Sequence, residues 1–224
     1  LRDIDIVFYD MDHTLIDNDC DVSWKEFLID HGLAPANERV EAQRHWEEFV
    51  QGRLDEQIFL AFQMRQFVGK TPDEMMELSR LHFEERVKPR MYPQAIERID
   101  RAREAGRRQV MLSATNAIVC APVAEAFGLN DVICTQLETR DGRFTGRIVE
   151  PYCSREGKIH YAGAYCREKG FSFDRAAYYG DSVYDIPMLE RVARAFAVNP
   201  GDKLRERAQS GGWTIERWTL NGKG

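Results

Sequence analysis

The chain is poor in most of the features that mark a specialised protein. Its five cysteines, Cys20, Cys120, Cys134, Cys153 and Cys166, are widely spaced over 224 residues and form no C-x-x-C pair. That argues against a disulfide framework or a zinc site and for reduced thiols used in packing. Basic residues are not in excess: 31 Lys and Arg are scattered among 37 Asp and Glu, for a formal net charge of -6. No basic face therefore offers itself to nucleic acid or to an anionic membrane. No apolar run approaches the length of a membrane span, and no basic segment leads into an apolar one as in a secretory signal, so a cytoplasmic location is expected. Internal repeats and low-complexity tracts are also missing.

What is present is a composition 43% apolar, enough for one ordinary core with a smaller module beside it. Short apolar runs occur at Ile4 to Tyr9, Val110 to Leu112, Val132 to Cys134, Ala176 to Tyr179 and Ala195 to Val198, and helical patterns separate most of them. This rhythm predicts an α/β fold on a parallel sheet. The pattern from Pro93 to Ala105 predicts a helix, with Pro93 in its first turn, Ile96, Ile99 and Ala102 on one face and Gly106 as its stop. Between Val22 and Val87 strand signals vanish. Amphipathic helices replace them, with buried stripes expected from Trp24, Phe27 and Leu28, from Val40, Trp46, Phe49 and Val50, and from Leu54, Ile58 and Phe62. Thr71-Pro72-Asp73-Glu74 has the form of a capping box, and Pro89 and Pro93 bracket the return to the sheet. The expected organisation is an α/β core at 1–16 and 91–224, interrupted after its first strand by a helical module at 17–90. Asp141-Gly142, between Leu137 and Val149, predicts a small hairpin on the core.

Asp10 and Asp12 follow directly on the apolar run that ends at Tyr9. Carboxylates placed there are costly unless paired or bound to a cation. In an open parallel sheet, ligands bind beyond the carboxyl ends of the strands. There the first strand delivers Asp10, Asp12 and Thr14; the second delivers Ser113, Thr115 and Asn116; the strand ending at Tyr179 delivers Gly180, Asp181, Ser182 and Asp185; and Lys158 opens a helix pattern. Several carboxylates with no His or Cys cluster favour a hard cation, for which Mg²⁺ is the natural choice. Metal, lysine and hydroxyl groups together suit a phosphoryl group, with one carboxylate attacking phosphorus and another handling protons. Each residue also has a plain structural use. Aspartates and serines at strand ends form turns or caps, Asp185 could cap the following helix, and Asp19 could be a solvated loop charge. His13 reads more readily as packing, and Trp24, His45, Trp46 and Arg65 of the helical module as packing or surface residues.

The set DMDHT from Asp10 to Thr14, MLSATN with Ser113, EGK ending at Lys158, and GDSVYD from Gly180 to Asp185 resembles the four motifs of the haloacid dehalogenase superfamily, in order and spacing. The likeness covers essentially the whole chain and is strongest to the phosphoserine phosphatase-like subfamily, with similarity to histidinol-phosphate phosphatases around Asp19 to Trp24 and Ala197 to Pro200. It implies a Rossmann-like three-layer α/β/α core with a helical C1 cap inserted after the first strand. It further implies an Mg²⁺-dependent phosphatase of small phosphomonoesters, phosphoserine and histidinol phosphate leading. By the same resemblance Asp10 is the nucleophile, and Asp12 is the proton donor and later the base. Asp10, the Asp12 carbonyl and Asp181 hold the metal with Asp185 just outside, and Ser113 and Lys158 bind the transferring phosphoryl oxygens. Thr14, Thr115 and Asn116 join Ser113 as expected substrate contacts. Asp19 stands nine residues past Asp10, where phosphoserine phosphatases carry a Glu that meets the substrate ammonium group. Ser182 and Tyr184 replace the Gly and Asn common in those enzymes, and His13 replaces Ser or Asn. A phosphotransferase or mutase, a signalling receiver domain and a catalytically silent binding protein are the rival readings. The helical insert and Asp12 weigh against the receiver.

Overall fold

The structure, a computed structural model, describes residues 3–51 and 53–222. Eight strands are described: β1 (Ile6–Tyr9), β2 (Arg108–Asn116), β3 (Asp131–Thr135), β4 (Leu137–Arg140), β5 (Arg143–Ile148), β6 (Ala176–Gly180), β7 (Arg194–Val198) and β8 (Thr214–Glu216). Six form one parallel sheet in the order β3-β2-β1-β6-β7-β8. Every residue of β1 and β6 is buried, as expected of central strands covered on both faces. Side chains alternate across the sheet: Ile6, Phe8, Val110 and Leu112 enter one core, Val7, Tyr9 and Met111 the other.

Helices cover both faces. On the first side lie α7 (Glu156–Lys169), α8 (Ile186–Leu189) and α9 (Asp202–Gly211), which bury Ala162, Cys166, Met188, Leu204 and Ala208. On the second lie α5 (Pro93–Glu104) and α6 (Ala117–Phe127), which bury Ala95, Ile99, Val119 and Val123. The result is the three-layer α/β/α fold expected from the sequence. All five cysteines are free and buried, divided between the two cores. Pro93 occupies the first turn of α5, but Ile96 is exposed: the buried stripe runs Ala95, Ile99 and Ala102, a spacing of four and three that leaves Ile96 at its edge.

Between β1 and α5 the described elements are all helical: α1 (Cys20–Asp30), α2 (Glu38–Val50), α3 (Glu56–Met64), a 3-10 turn, Arg65–Phe67, and α4 (Pro72–His82), followed by a π-helical turn, Phe83–Val87, and a 3-10 turn, Lys88–Arg90. The capping box at Thr71 and Glu74 is formed as expected. Trp24, Phe27, Leu28 and Phe62 are buried, whereas Val40 and Ile58 face solvent; in α2 it is Ala42 and His45 that turn inward. The side chains of Phe49 and Val50, expected in the same stripe, lie outside the described residues. A fully buried Lys25 ties α1 to α2 and α3, donating to Glu38 at 2.7 Å, to the Phe62 carbonyl at 3.3 Å and to Gln66. The chain leaves and re-enters the core side by side, through a bridge between Ile16 and Met91.

The expected hairpin is present as antiparallel β4 and β5, turning at Asp141 and Gly142, both in the left-handed region. It leans on the helical insert: Gly69 N–H donates to the Phe144 carbonyl and Phe144 N–H to the Lys70 carbonyl, each at 2.9 Å. Among the described residues, no helix is long and apolar enough to cross a membrane.

Candidate active site

Register brings the candidate residues together. Tyr9 stands opposite Met111 on one side and Tyr179 on the other, so the chain just past each strand end opens at the same level. Past β1 the chain turns sharply, with the Met11 carbonyl accepting from Leu15 N–H at 2.8 Å and His13 in the left-handed region at φ 53. Asp10 and Asp12 thereby line one cavity with Ser113, Thr115, Lys158 and Asp181.

Lys158 is the hub. Its ammonium donates to Asp185 at 2.7 Å, to Asp10 at 2.9 Å and to the Tyr178 hydroxyl at 3.0 Å. Burial opposes its charge, but the two carboxylates overcome that and hold it protonated well above the ordinary lysine value. Two close approaches position it. A Cβ on Gly157 would stand 1.8 Å from the Tyr152 carbonyl, and one on Gly180 would stand 2.8 Å from Asp185 Cβ, so glycine is required at both. Asp185 is fully engaged: beyond Lys158 it accepts from the Tyr178 hydroxyl, from Ser182 N–H at 3.1 Å and from the Ser182 hydroxyl at 3.0 Å. Burial raises its carboxyl, yet Lys158 and these donors bring it below the usual carboxylate value.

The other carboxylates are pushed the opposite way. Burial lifts Asp10 to about 6 against the pull of Lys158. Burial, then Asp19, lifts Asp12 to about 7, although Asp12 accepts from Cys20 N–H and from the Thr115 hydroxyl, both at 2.7 Å. Asp181 goes well above its ordinary value through burial, Asp185 and Asp10, with the Thr14 hydroxyl donating to it at 3.2 Å. Four acids face one lysine. Asp10, Asp181 and Asp185 each offer a carboxylate oxygen within 4.8 Å of the others, an all-oxygen set that a hard divalent cation would both fit and neutralise. The Asp12 side chain, held by Cys20 and Thr115, stands outside that trio.

Not every expected contact reaches the cavity. Thr14 is buried against Asp181, and Asn116 caps α6, accepting from Ile118 and Val119 N–H at 3.1 and 3.2 Å. Asp19 does line it, while also capping α1 through Val22 N–H at 2.9 Å. Ser113 accepts from Thr115 N–H at 3.1 Å, which leaves its own hydroxyl hydrogen to donate. His45 and Trp46, read from sequence as packing or surface, prove to line the cavity, whereas Trp24 is core and Arg65 pairs with Glu41 at 2.9 Å. Ser182 secures Asp185, and the Tyr184 ring lies 4.3 Å from the Arg155 guanidinium. His13 faces Trp46, ring centres 5.7 Å apart.

Sequence reasoning missed Gln63, Glu56, Phe59 and Tyr152, all in the lining. Gln63 follows Phe62 in an ordinary helical pattern, and nothing in its neighbours marks it. Glu56 of α3 meets Arg155, just before α7, at 3.4 Å, an ion pair across the mouth between insert and core. Counting its open mouth, the cavity encloses about 840 Å³ of empty space.

A family model described as haloacid dehalogenase-like hydrolase matches residues 7–190. The chain is 32% identical over 215 residues to a histidinol-phosphatase of Neisseria meningitidis serogroup C (strain 8013), covering 94% of this chain and 97% of that one. Among solved structures it is similar to a protein of unknown function from Bordetella pertussis Tohama I, with TM-score 0.85, 33% identity and coverage of 96% and 98%. A substrate-bound phosphoserine phosphatase matches with TM-score 0.73 at 18% identity, covering 97% of this chain and 95% of that one, a likeness of fold alone.

Proposed function

The chain belongs to the haloacid dehalogenase-like hydrolase family, and from that premise we propose that it is a phosphatase of small amine-bearing phosphomonoesters, working through a phosphorylated Asp10. The observation that carries the reading is the Asp10–Lys158–Asp185 network at the floor of a cavity whose next carboxyl, Asp12, is pushed up to about 7. An Asp10 oxygen attacks phosphorus as the bond to the leaving oxygen breaks, and Asp12, protonated near neutrality, gives its proton to that oxygen. Asp12, now a carboxylate, takes a proton from water; the water oxygen bonds to phosphorus, the bond from Asp10 breaks, and phosphate leaves. Lys158 keeps Asp10 in place and adds positive charge beside the transferring group, while the Ser113 hydroxyl donates to a phosphoryl oxygen. Thr115 and the Cys20 amide fix the rotamer of Asp12.

Asp10, Asp181 and the Asp12 carbonyl would hold Mg²⁺, with Asp185 behind them, and the ion would supply charge neutralisation of the phosphoryl oxygens. Residues 17–90 act as a cap that excludes water and selects the leaving group. The likeness to a histidinol-phosphatase supports an amine-bearing leaving group, for which Asp19 is the first contact, with histidinol phosphate and phosphoserine as leading candidates. Phosphate release from a panel of metabolite phosphomonoesters, with Mg²⁺ and with chelator, tests this. Metal-dependent turnover concentrated on amine-bearing esters is expected. Transfer of the phosphoryl group to another alcohol in place of free phosphate would contradict it.

A further inference from the structure

The cap side of the cavity leaves buried polar atoms unsatisfied, where the Asp10–Lys158–Asp185 network at the floor leaves none. Gln63, only 3% exposed, donates through Nε2 to the Asp21 carbonyl at 3.3 Å, but its buried Oε1 has no hydrogen-bond partner among the described residues. An amide oxygen buried without a donor is costly, and in a cavity lining it points to a donor that arrives with the ligand. Asp21 lines the cavity beside it. Burial, then Asp19 and Asp12, push the Asp21 carboxyl well up, so negative charge there is poorly compensated. His45, 2% exposed, likewise keeps a buried Nε2 without a partner while its Nδ1 meets Glu48 at 3.3 Å. Trp46, Phe59 and Tyr152 supply flat apolar surface around these groups.

Positive charge is just as telling. Among the described lining residues Lys158 is the sole lysine or arginine, and Asp10 and Asp185 engage it at the floor. Arg155 is outside the lining, taken up by Glu56 and by the Tyr184 ring. A carboxylate on the leaving group beside Asp19 and Asp21 would find no cation of the lining to meet it.

We infer that Gln63 Oε1 and Asp21 form a second recognition point for the leaving group, accepting from an N–H-bearing planar ring, and that the substrate is the phosphate of an amino alcohol that carries no carboxylate. This rests on the phosphatase reading. It adds a specificity-determining residue that makes no contact with the phosphoryl floor.

The test compares kcat/KM for histidinol phosphate, phosphoethanolamine, phosphoserine and p-nitrophenyl phosphate, in the unaltered enzyme and in Gln63→Met. Histidinol phosphate is expected to exceed phosphoserine by about 100-fold or more, the scale at which buried polar groups reject a mismatched ligand. Gln63→Met is expected to lower the ratio of histidinol phosphate to phosphoethanolamine about tenfold. Asp21→Asn should lower the same ratio, and serves where Gln63→Met does not fold. Phosphoserine turned over as well as histidinol phosphate, or an unchanged ratio in the folded variant, would overturn the inference while leaving the phosphatase reading intact. No hydrolysis of any ester, p-nitrophenyl phosphate included, would overturn the phosphatase reading and this inference with it.

Discussion

The two walls of the cavity are built on opposite principles. At the sheet end Lys158 and the carboxylates are satisfied, with His13 Nε2 the exception beside them: Lys158 meets three partners, Asp185 has donors on both oxygens, and Asp12 is held by an amide and a hydroxyl. On the helical wall Gln63 Oε1 and His45 Nε2 have no donor or acceptor among the described residues. A network closed on itself fixes geometry before any ligand arrives, which is what phosphoryl transfer demands of its reacting groups. A wall with open polar positions gains its partners from the ligand, which is what selection demands. The proposed reading accordingly gives chemistry to the core and choice of substrate to the insert.

The sharpest way to break this division is to remove the proposed nucleophile. Asp10→Asn should lower kcat by about 10⁴-fold or more with an unchanged thermal midpoint, since the replacement keeps the side chain's shape. Substantial phosphate release by the folded variant would remove Asp10 from its role. Lys158→Met should cost roughly 3–5 kcal/mol in denaturant unfolding, because Asp10 and Asp185 are left buried without their cation. A neutral effect on stability would show that the network is not closed as described. On the opposite wall Trp46→Ala should raise KM about tenfold with little change in kcat, the signature of lost uniform binding. A loss confined to kcat would place Trp46 with the chemistry.

One dependence of stability on pH is carried by the insert alone. His82 is buried, joined to Ser23 Oγ at 2.9 Å, and burial lowers it to about 3. The unfolded chain takes up that proton near 6.5, the folded one does not, so stability is fully present above about 6.5 and falls by about 1.4 kcal/mol per pH unit below it, until about 3. His82→Gln should flatten that limb of the unfolding profile between pH 6.5 and 5; an unchanged slope would show that His82 is not the group responsible.

Much of the core is legible in the amino-acid order. The central strands are short apolar runs, and a polar cluster closes each, so the α/β fold and the convergence of Asp10, Ser113, Lys158 and Asp181 follow from the sequence alone. The edge strand β8, three residues of the form TIE with two of them exposed, has no apolar run to betray it. Thr14 and Asn116 show a different limit. A polar residue past a strand end can cap a helix, brace a neighbour or face a ligand, and only the turn geometry separates these uses. The helical wall is the least legible part. Helical periodicity says which residues share a face, but not which face meets the core across a cleft, and so it puts Val40 and Ile58 inside and leaves Gln63 unmarked.

The central claim is a phosphorylated Asp10 between two displacements at phosphorus, and the stereochemical course of the reaction tests it most directly. A phosphorothioate monoester made chiral at phosphorus with one oxygen-18, turned over in water labelled with oxygen-17, should yield thiophosphate of retained configuration, because two in-line inversions cancel. Inverted thiophosphate would mean that water attacks the ester directly and would contradict the account.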